Sequence, residues 1–227
     1  MKSLLLFLFF FCCLQFAFAQ PQKLSNYNVI WTVQSKNSSE SMPCGGGDIG
    51  LNVWVENGEV LFYLSKSGTF DENNAMLKLG RVRLKLSPNP FADTNFKQEL
   101  RLQEGGIKIS GAHTQINLWV DVFRPVVHVD IQSQKSVKIT AIYESWRSED
   151  RLVEGTALRE NSYKVPQKFA VKTYKDEIGF NGNEVLFTTE IATMQKTCLT
   201  TRCAWKAWIQ LRINFLTHCK IIRLGEP

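Results

Sequence analysis

The sequence predicts an all-β protein, an antiparallel β-sandwich, and three observations predict it. Between residues 49 and 143, short runs in which apolar and polar residues alternate follow one another closely. Turn signals separate these runs, and Asn57-Gly58 is the strongest because both central residues of such a turn need a positive φ. No stretch of this body shows a helical period of any length. Short strands at close spacing with turns between them are typical of a sandwich.

The predicted strands begin with the hairpin around Asn57-Gly58. Gly80 interrupts the alternation of the third strand, which indicates a β-bulge. Pro88-Asn89-Pro90 ends that strand, Glu104-Gly105-Gly106 marks a second hairpin, and Arg124-Pro125 marks a bend or an edge. The predicted strands are 49–55, 59–64, 77–86, 96–102, 107–109, 116–123, 126–131 and 137–143.

Residues 1–19 form a targeting segment in this interpretation, not part of the fold. Lys2 is followed by a long apolar run and by the A-x-A sequence Ala17-Phe18-Ala19. This order is typical of a cleaved secretory signal peptide. Gln15 interrupts the run, which is short for a membrane span of about 20 residues. We therefore expect a secreted or periplasmic protein with no membrane span.

The composition and charge exclude two classes of protein. The chain has 227 residues, of which 44% are hydrophobic and 11% aromatic, so it is not an intrinsically disordered chain. The formal charge is +6, but residues 188–227 carry +4 of it and Lys2 carries one more. Residues 20–187 therefore carry only +1. They have no basic stripe, so we expect no nucleic-acid partner.

The glycines near residue 45 match a dinucleotide-binding fingerprint by spacing alone. Gly45, Gly47 and Gly50 fit G-x-G-x-x-G, and Asp71 follows about 20 residues on. That fingerprint must follow a strand and open a helix, since the helix N-terminus holds the pyrophosphate. Here a polar segment precedes the glycines and a hairpin follows them. We predict instead that they allow sharp turns and close passage of the backbone, with Asp48 at the tip.

The same stretch carries a resemblance to a known family. Residues 41–55, SMPCGGGDIGLNVWV, resemble the MP-x-G-N-G-D-I-G opening of certain secreted bacterial glycoside-hydrolase-like proteins. Their N-terminal β domain, often catalogued only as a domain of unknown function, is akin to the N-terminal super-sandwich of α-L-fucosidases that have an α/α toroid. The resemblance continues through FYLSK, LKLGRVR, PNPF, LWVD and YESWR, and covers about residues 28–187. Gly46 stands where the family usually has Asn, and Cys44 where an aliphatic residue is common.

The resemblance implies a division of labour between two domains. In such enzymes the catalytic acid and base lie on a helical toroid C-terminal to the β domain, because glycoside cleavage needs two opposed carboxyls. This chain is too short to hold the toroid, so we expect no catalytic residue, metal or cofactor in it. The β domain would shape or bind a carbohydrate, a plant or host polysaccharide or oligosaccharide. In a full-length protein it would pack on the toroid.

Four residues are candidates for contacting that carbohydrate: Gly46, Asp48, Lys66 and Asp71. The three charged residues among them have structural alternatives. An aspartate in a Gly-rich turn such as Asp48 often caps its own backbone. For Lys66, pairing with an acid at the surface is the commoner use. Asp71 begins an acidic turn, and adjacent acids in a turn are usually only solvated.

Aromatic and charged residues of the predicted strands have structural alternatives too. Trp54 and Trp119 could stack on sugars, but packing in the core or on a sheet face is the commoner use. Glu144 and Arg147 are spaced for a local ion pair. The histidines of the body have no Cys or His beside them at ligand spacing, so no metal site is predicted.

The chain changes character after Phe187. Residues 188–227 hold three of the six cysteines, at a spacing that does not fit the common zinc knuckles. Disulfides are the usual use of cysteines in secreted proteins. A third interpretation is that this tail is translated out of frame. Codons permitted by residues 186–195, shifted by one base, can read LFYHRNRNNA, which resembles the continuation of the family. We therefore predict a β-sandwich over 20–187 and a poorly ordered, out-of-frame tail over 188–227.

Three functions are compatible with the sequence. The first is the N-terminal β-sandwich, here truncated, of a secreted glycosidase-like protein, which is not catalytic by itself. The second is a self-standing secreted carbohydrate-binding module, which would need an exposed aromatic platform. The third is a complete enzyme such as a lyase or an esterase, for which no constellation of residues is found.

Overall fold

The computed structural model describes residues 23–71, 75–92, 95–124, 126–155, 158, 172–181, 184–188 and 209–211. They form two five-stranded antiparallel sheets and two smaller sheets, which confirms the all-β prediction. Two short 3-10 turns are described in full, Leu24–Tyr27 and Ser38–Glu40. Within the same ranges, no helix is long and apolar enough to cross a membrane. The predicted signal peptide lies outside them.

The two large sheets contain most of the predicted strands. Sheet A has the order β1-β6-β7-β8-β9, and sheet B has the order β10-β5-β4-β3-β2. The strands of sheet A are β1 Val29–Trp31, β6 Lys97–Arg101, β7 Gly106–Gly111, β8 Thr114–Val120 and β9 Val127–Ser133. The strands of sheet B are β2 Met42–Gly46, β3 Ile49–Glu56, β4 Glu59–Phe70, β5 Met76–Ser87 and β10 Lys138–Glu144.

The turn and bulge signals of sheet B are confirmed. Asn57 and Gly58 form the β3–β4 turn with φ values of 52° and 75°. The register between β4 and β5 shifts after Leu64, which lies opposite Gly80. Gly80 has a φ of 119°, which L-residues with side chains rarely adopt. The glycine therefore provides the bulge that its position in the alternation predicts.

The core lies between the two sheets. Alternate residues of each strand point inward, and those at the centre are fully buried, such as Val53 and Phe62 of sheet B and Ile109 and Leu118 of sheet A. The Gln98 side chain reaches from sheet A across the core, and its Nε2 donates to the carbonyl of Val53 in sheet B at 3.1 Å. The alternation of apolar and polar residues therefore correctly predicts strands with one buried face in both sheets.

One strand of sheet B was expected to be a loop. Met42–Gly46 pairs with β3 along its whole length as edge strand β2. Its composition hides it, because proline and glycine are depleted in strands. Pro43 has no N–H to give to a ladder, and an edge strand is where a sheet tolerates that loss.

The remaining strands form two small sheets. β11 Arg151–Leu152 pairs with β12 Lys172–Thr173. β13 Glu177–Asn181, β14 Glu184–Thr188 and β15 Ile209–Leu211 form the other sheet. Within the predicted tail, residues 188–227, the structure describes Thr188 and the short strand β15. The tail cysteines lie outside the described residues, and the out-of-frame origin of the tail stays a prediction.

Candidate functional site

The Gly-rich turn packs closely against the end of strand β8. Gly47 has a φ of 59° and, with Asp48, forms the tip between β2 and β3. A Cβ on Gly46 would lie 2.9 Å from the carbonyl oxygen of Val120, and one on Gly47 would lie 3.0 Å from that of Val122. The prediction that the glycines allow close passage of the backbone is therefore confirmed. The element that they pass is the end of sheet A.

Two of the four predicted contact residues meet beside this turn. Lys66 Nζ lies 3.5 Å from Asp48 Oδ2, and the two side chains are 26% and 47% exposed. The Asp48 carbonyl accepts the Ser67 N–H at 2.7 Å, which fixes the turn on the adjacent strand. An exposed ion pair of this kind contributes about 0–1 kcal/mol to stability. Both charged groups are therefore accessible to a ligand at little cost to the fold.

Asp71 has a different environment. Its side chain is buried, and its Oδ1 accepts the Ala75 N–H at 2.8 Å. Arg147 Nη1 lies 3.8 Å from Asp71 Oδ2, and Arg147 Nε donates to Asp176 Oδ1 at 2.9 Å. The expectation of a merely solvated acidic turn is thus wrong at Asp71. The reason is that a buried arginine from beyond β10 packs against it.

Glu144 belongs to a charged ladder on the outer face of sheet B. It accepts hydrogen bonds from Arg81 Nε at 2.5 Å and from Arg83 Nε at 2.6 Å. Arg83 also contacts Glu59, whose Oε1 lies 2.9 Å from Lys85 Nζ. Burial raises the pKa of Glu144, but the hydrogen bonds from the two arginines outweigh burial and hold the pKa below its ordinary value. The ladder joins three neighbouring strands and is structural.

The turn after β8 exposes the apolar side chains of Val122 and Phe123 to solvent. Asp121 accepts the Phe123 N–H at 2.9 Å and pairs with Arg124 at 2.9 Å. These contacts, the backbone N–H of Phe123 first, hold the pKa of Asp121 below its ordinary value. The Asp121 N–H donates to the Val126 carbonyl, which closes the turn. Phe123 is 93% exposed, and the preceding Val122 lies against the Gly-rich turn.

The tryptophans of the sheets differ in exposure. Trp54 is buried, as the packing alternative expects, and its Nε1 donates to Glu56. Trp119 is 37% exposed. Its ring stacks on the His128 ring with centroids 3.9 Å apart and an interplanar angle of 5°. Its Nε1 donates to Asp130 Oδ2 at 3.2 Å, so the indole is held on one face and at its polar edge.

Sequence reasoning missed the residues around Trp119. The register places Gly106 of β7 and His128 of β9 on its two sides, and Asp130 lies two residues along β9. Alternation places a residue on a face, but only the order of the strands shows which residues become neighbours. In the described part of the chain, no group of three or more His, Cys, Asp or Glu side chains is arranged to hold a metal ion.

Comparison with known proteins identifies a domain family and no activity. The N-terminal model of a domain of unknown function, DUF5703, matches residues 30–201. This is more than half of the chain, and it includes residues on both sides of the predicted boundary at 187. No curated protein matches the chain.

Proposed function

The chain belongs to the DUF5703 family, and from this premise we propose that its sandwich is the carbohydrate-contacting N-terminal domain of a secreted glycosidase-like protein. The acid and base of the reaction belong, in this proposal, to a helical toroid on which the sandwich packs. The sandwich supplies one wall of the sugar site through the loops at its end.

The observation that carries the proposal is the position of the Gly-rich motif. The motif that bears the resemblance lies at an exposed end of the sandwich, where Asp48 and Lys66 present a carboxylate and an ammonium side by side. A carboxylate accepts hydrogen bonds and an ammonium donates them, so the pair can bind both functions of a sugar hydroxyl. The neighbouring turn adds the exposed Phe123 ring. Apolar surface with a few placed polar groups is the usual composition of a small-molecule site.

Charge supports a neutral ligand over an anionic one. Residues 20–187 carry a formal charge of only +1. The Lys66 ammonium already has Asp48 at 3.5 Å, and Arg124 of the neighbouring turn already has Asp121 at 2.9 Å. A phosphate or sulfate would need cations in excess, whereas a sugar needs donors and acceptors in balance.

Affinity electrophoresis of the purified full chain tests the proposal. The gels contain soluble xyloglucan, galactomannan, xylan or gastric mucin, and retardation by at least one of them is expected. Exchange of both Asp48 and Lys66 for alanine should weaken the retardation. The control exchanges Asp150 and Lys172, an exposed ion pair with a 2.9 Å contact elsewhere on the surface. A folded chain that is retarded by none of the three polysaccharides and not by the mucin would refute the proposed function.

The second candidate is a self-standing carbohydrate-binding module, and the exposed ring of Trp119 favours it. Both candidates predict binding. They differ in whether a catalytic domain follows the sandwich. Sequencing the DNA across codons 180–240 and reading it in all frames distinguishes them. A shifted frame that opens into several hundred codons supports the two-domain protein. A genuine stop supports the module.

A further inference from the structure

An apolar strip borders one edge of sheet A. Five large hydrophobic side chains between residues 24 and 33 are 42–77% exposed: Leu24, Tyr27, Val29, Ile30 and Val33. Residues 24–35, here called the β1 strip, contain no charged residue. Isolated apolar side chains are normal at a protein surface, whereas a concentration of them in one place is typical of an interaction site.

The β1 strip is held in place at both ends. The Asn28 side chain donates to Glu99 Oε1 at 3.1 Å and accepts the Leu102 N–H at 3.0 Å. At the other end, the Ser35 N–H donates to the Val55 carbonyl of sheet B at 2.8 Å. A segment that is already ordered loses little conformational freedom when a partner binds, and this favours affinity.

Strand β1, inside the strip, lies at the edge of its sheet. It pairs with β6 and stands first in the strand order of sheet A, and no other described strand pairs with it. The backbone N–H and C=O groups on the outer side of an edge strand form a row that another strand can pair with. A partner that fits this edge therefore offers an extended backbone together with apolar side chains.

The other three edges of the two large sheets carry features that discourage pairing. Strand β2 contains Pro43, β9 contains Asp130, and β10 begins at Lys138 and ends at Glu144. Proline and charged side chains on an edge strand oppose edge-to-edge association. Strand β1, Val29–Trp31, has neither. In the described part of the chain, the edge that best suits β1 is therefore β1 of a second copy.

We propose that two copies of this chain pair through the β1 strip, as antiparallel edge strands related by a two-fold axis at Ile30. A two-fold contact uses the same patch on both copies, so the patch must complement itself. The strip meets this condition, since Lys23 and Lys36 flank it and no like charges lie opposite each other within it. The proposal does not rest on the proposed carbohydrate function.

This register brings apolar side chains together on both faces of the joined sheet. Ile30 lies opposite Glu99 on the outer face of sheet A, so it would meet its own copy there. Val29 would lie opposite Trp31 of the second copy on the other face. Because the strand is short, the interface is at the small end of the range for specific interfaces. We therefore expect a weak dimer, whose fraction rises between about 10 μM and 1 mM.

Sedimentation velocity of the purified full chain under reducing conditions tests the pairing over that range. The weight-average sedimentation coefficient should rise from the monomer value toward the dimer value. Ile30→Lys should weaken the association at least about ten-fold, because like charges directly opposite each other repel. The matched control is Leu152→Lys, since Leu152 is 56% exposed on another sheet. This control should associate as the unmodified chain does.

Cross-linking tests the register without adding a charge. Cβ atoms of directly opposite residues in antiparallel strands are about 4.5–5.5 Å apart, near the separation that a disulfide requires. Mild oxidation of Ile30→Cys should therefore yield far more covalent dimer than oxidation of the unmodified chain or of Leu152→Cys.

Two results would overturn the pairing. A chain that stays monomeric up to about 1 mM would leave the strip to another occupant, such as a further domain. A dimer that Ile30→Lys does not weaken and Ile30→Cys does not cross-link would have a different interface. Both results leave the carbohydrate proposal standing, because the polysaccharide gels test it separately.

Discussion

Alanine substitutions at Gly46 and Gly47 of the Gly-rich turn, and at Gly105 between β6 and β7, should separate the cost of backbone strain from the cost of close contact. Gly105 has a φ of 64° and no other atom within 4 Å of its Cβ position, so alanine there meets only backbone strain. Gly46 has no positive φ, but its Cβ would lie 2.9 Å from the Val120 carbonyl oxygen. Gly47 combines both effects, with a φ of 59° and the Val122 oxygen at 3.0 Å. The three variants are therefore a strain-only, a contact-only and a combined perturbation.

The expected losses follow from these geometries. A left-handed φ costs a residue with a Cβ about 1–2 kcal/mol, which is the expected loss in free energy of unfolding for Gly105→Ala. Forcing a methyl group into a well-packed contact costs about 1–3 kcal/mol, which is the expectation for Gly46→Ala. Gly47→Ala should lose about 2–5 kcal/mol, near the sum of the two. Gly46→Asn, which introduces a larger side chain at the same contact, should lose at least as much as Gly46→Ala.

Urea unfolding of each variant, followed by circular dichroism, measures these losses. In a domain of this size each kcal/mol also lowers Tm by about 2–4 °C, so a thermal scan gives a second reading. Equal losses for Gly47→Ala and Gly105→Ala would refute the reasoning. They would mean that the turn does not press on the end of β8 and that the glycines serve only their own backbone angles.

Two further substitutions test the charged groups. Arg147→Met should lower the free energy of unfolding by about 3–5 kcal/mol, because it removes the guanidinium from the buried carboxylates of Asp71 and Asp176. Urea unfolding measures this loss. A loss below about 1 kcal/mol is typical of an exposed ion pair and would contradict a buried role for Arg147. Glu144→Gln should cost about 1–2 kcal/mol at pH 7. The pKa of Glu144 lies below its ordinary value of 4.5 in the folded chain, so its stabilisation is present above pH 4.5 and is lost as the pH falls through the folded value. The gap between wild type and Glu144→Gln in urea titrations should narrow below pH 4.5, and a constant gap would count against the ladder.

The sequence predicts the sandwich well where local signals determine it. Asn57-Gly58 fixes a two-residue hairpin, and that hairpin places Ile49 opposite Lys66. The neighbouring Asp48 must then lie beside Lys66, so the contact between these two candidates follows from one turn. Strand β2 escaped prediction because Pro43 and the glycines remove the alternation on which strand prediction relies.

The missed contacts are those that depend on the order of strands and on long separations. Trp119 meets Gly106 and His128 only because β7 and β9 both flank β8. Strands β5 to β10 separate Asp71 from Arg147 along the chain, and no local sequence pattern predicts a contact between residues so far apart. Residues three positions apart are neighbours on a helix. Glu144 instead ends strand β10 and bonds to Arg81, whereas Arg147 bonds to Asp176.

The contacts of Arg147 also make one backbone amide a reporter of local opening. The Asp176 N–H donates to the Arg147 carbonyl at 2.8 Å, while the two side chains form an ion pair, across a separation of 29 positions. The Asp176 amide exchanges its hydrogen for deuterium when its hydrogen bond to the Arg147 carbonyl breaks, and the ion pair between the two side chains opposes that opening. Its exchange rate measures the free energy of undocking the segment after β10, separately from global unfolding. Arg147→Met should accelerate that single amide far more than the amides at the centre of sheet B.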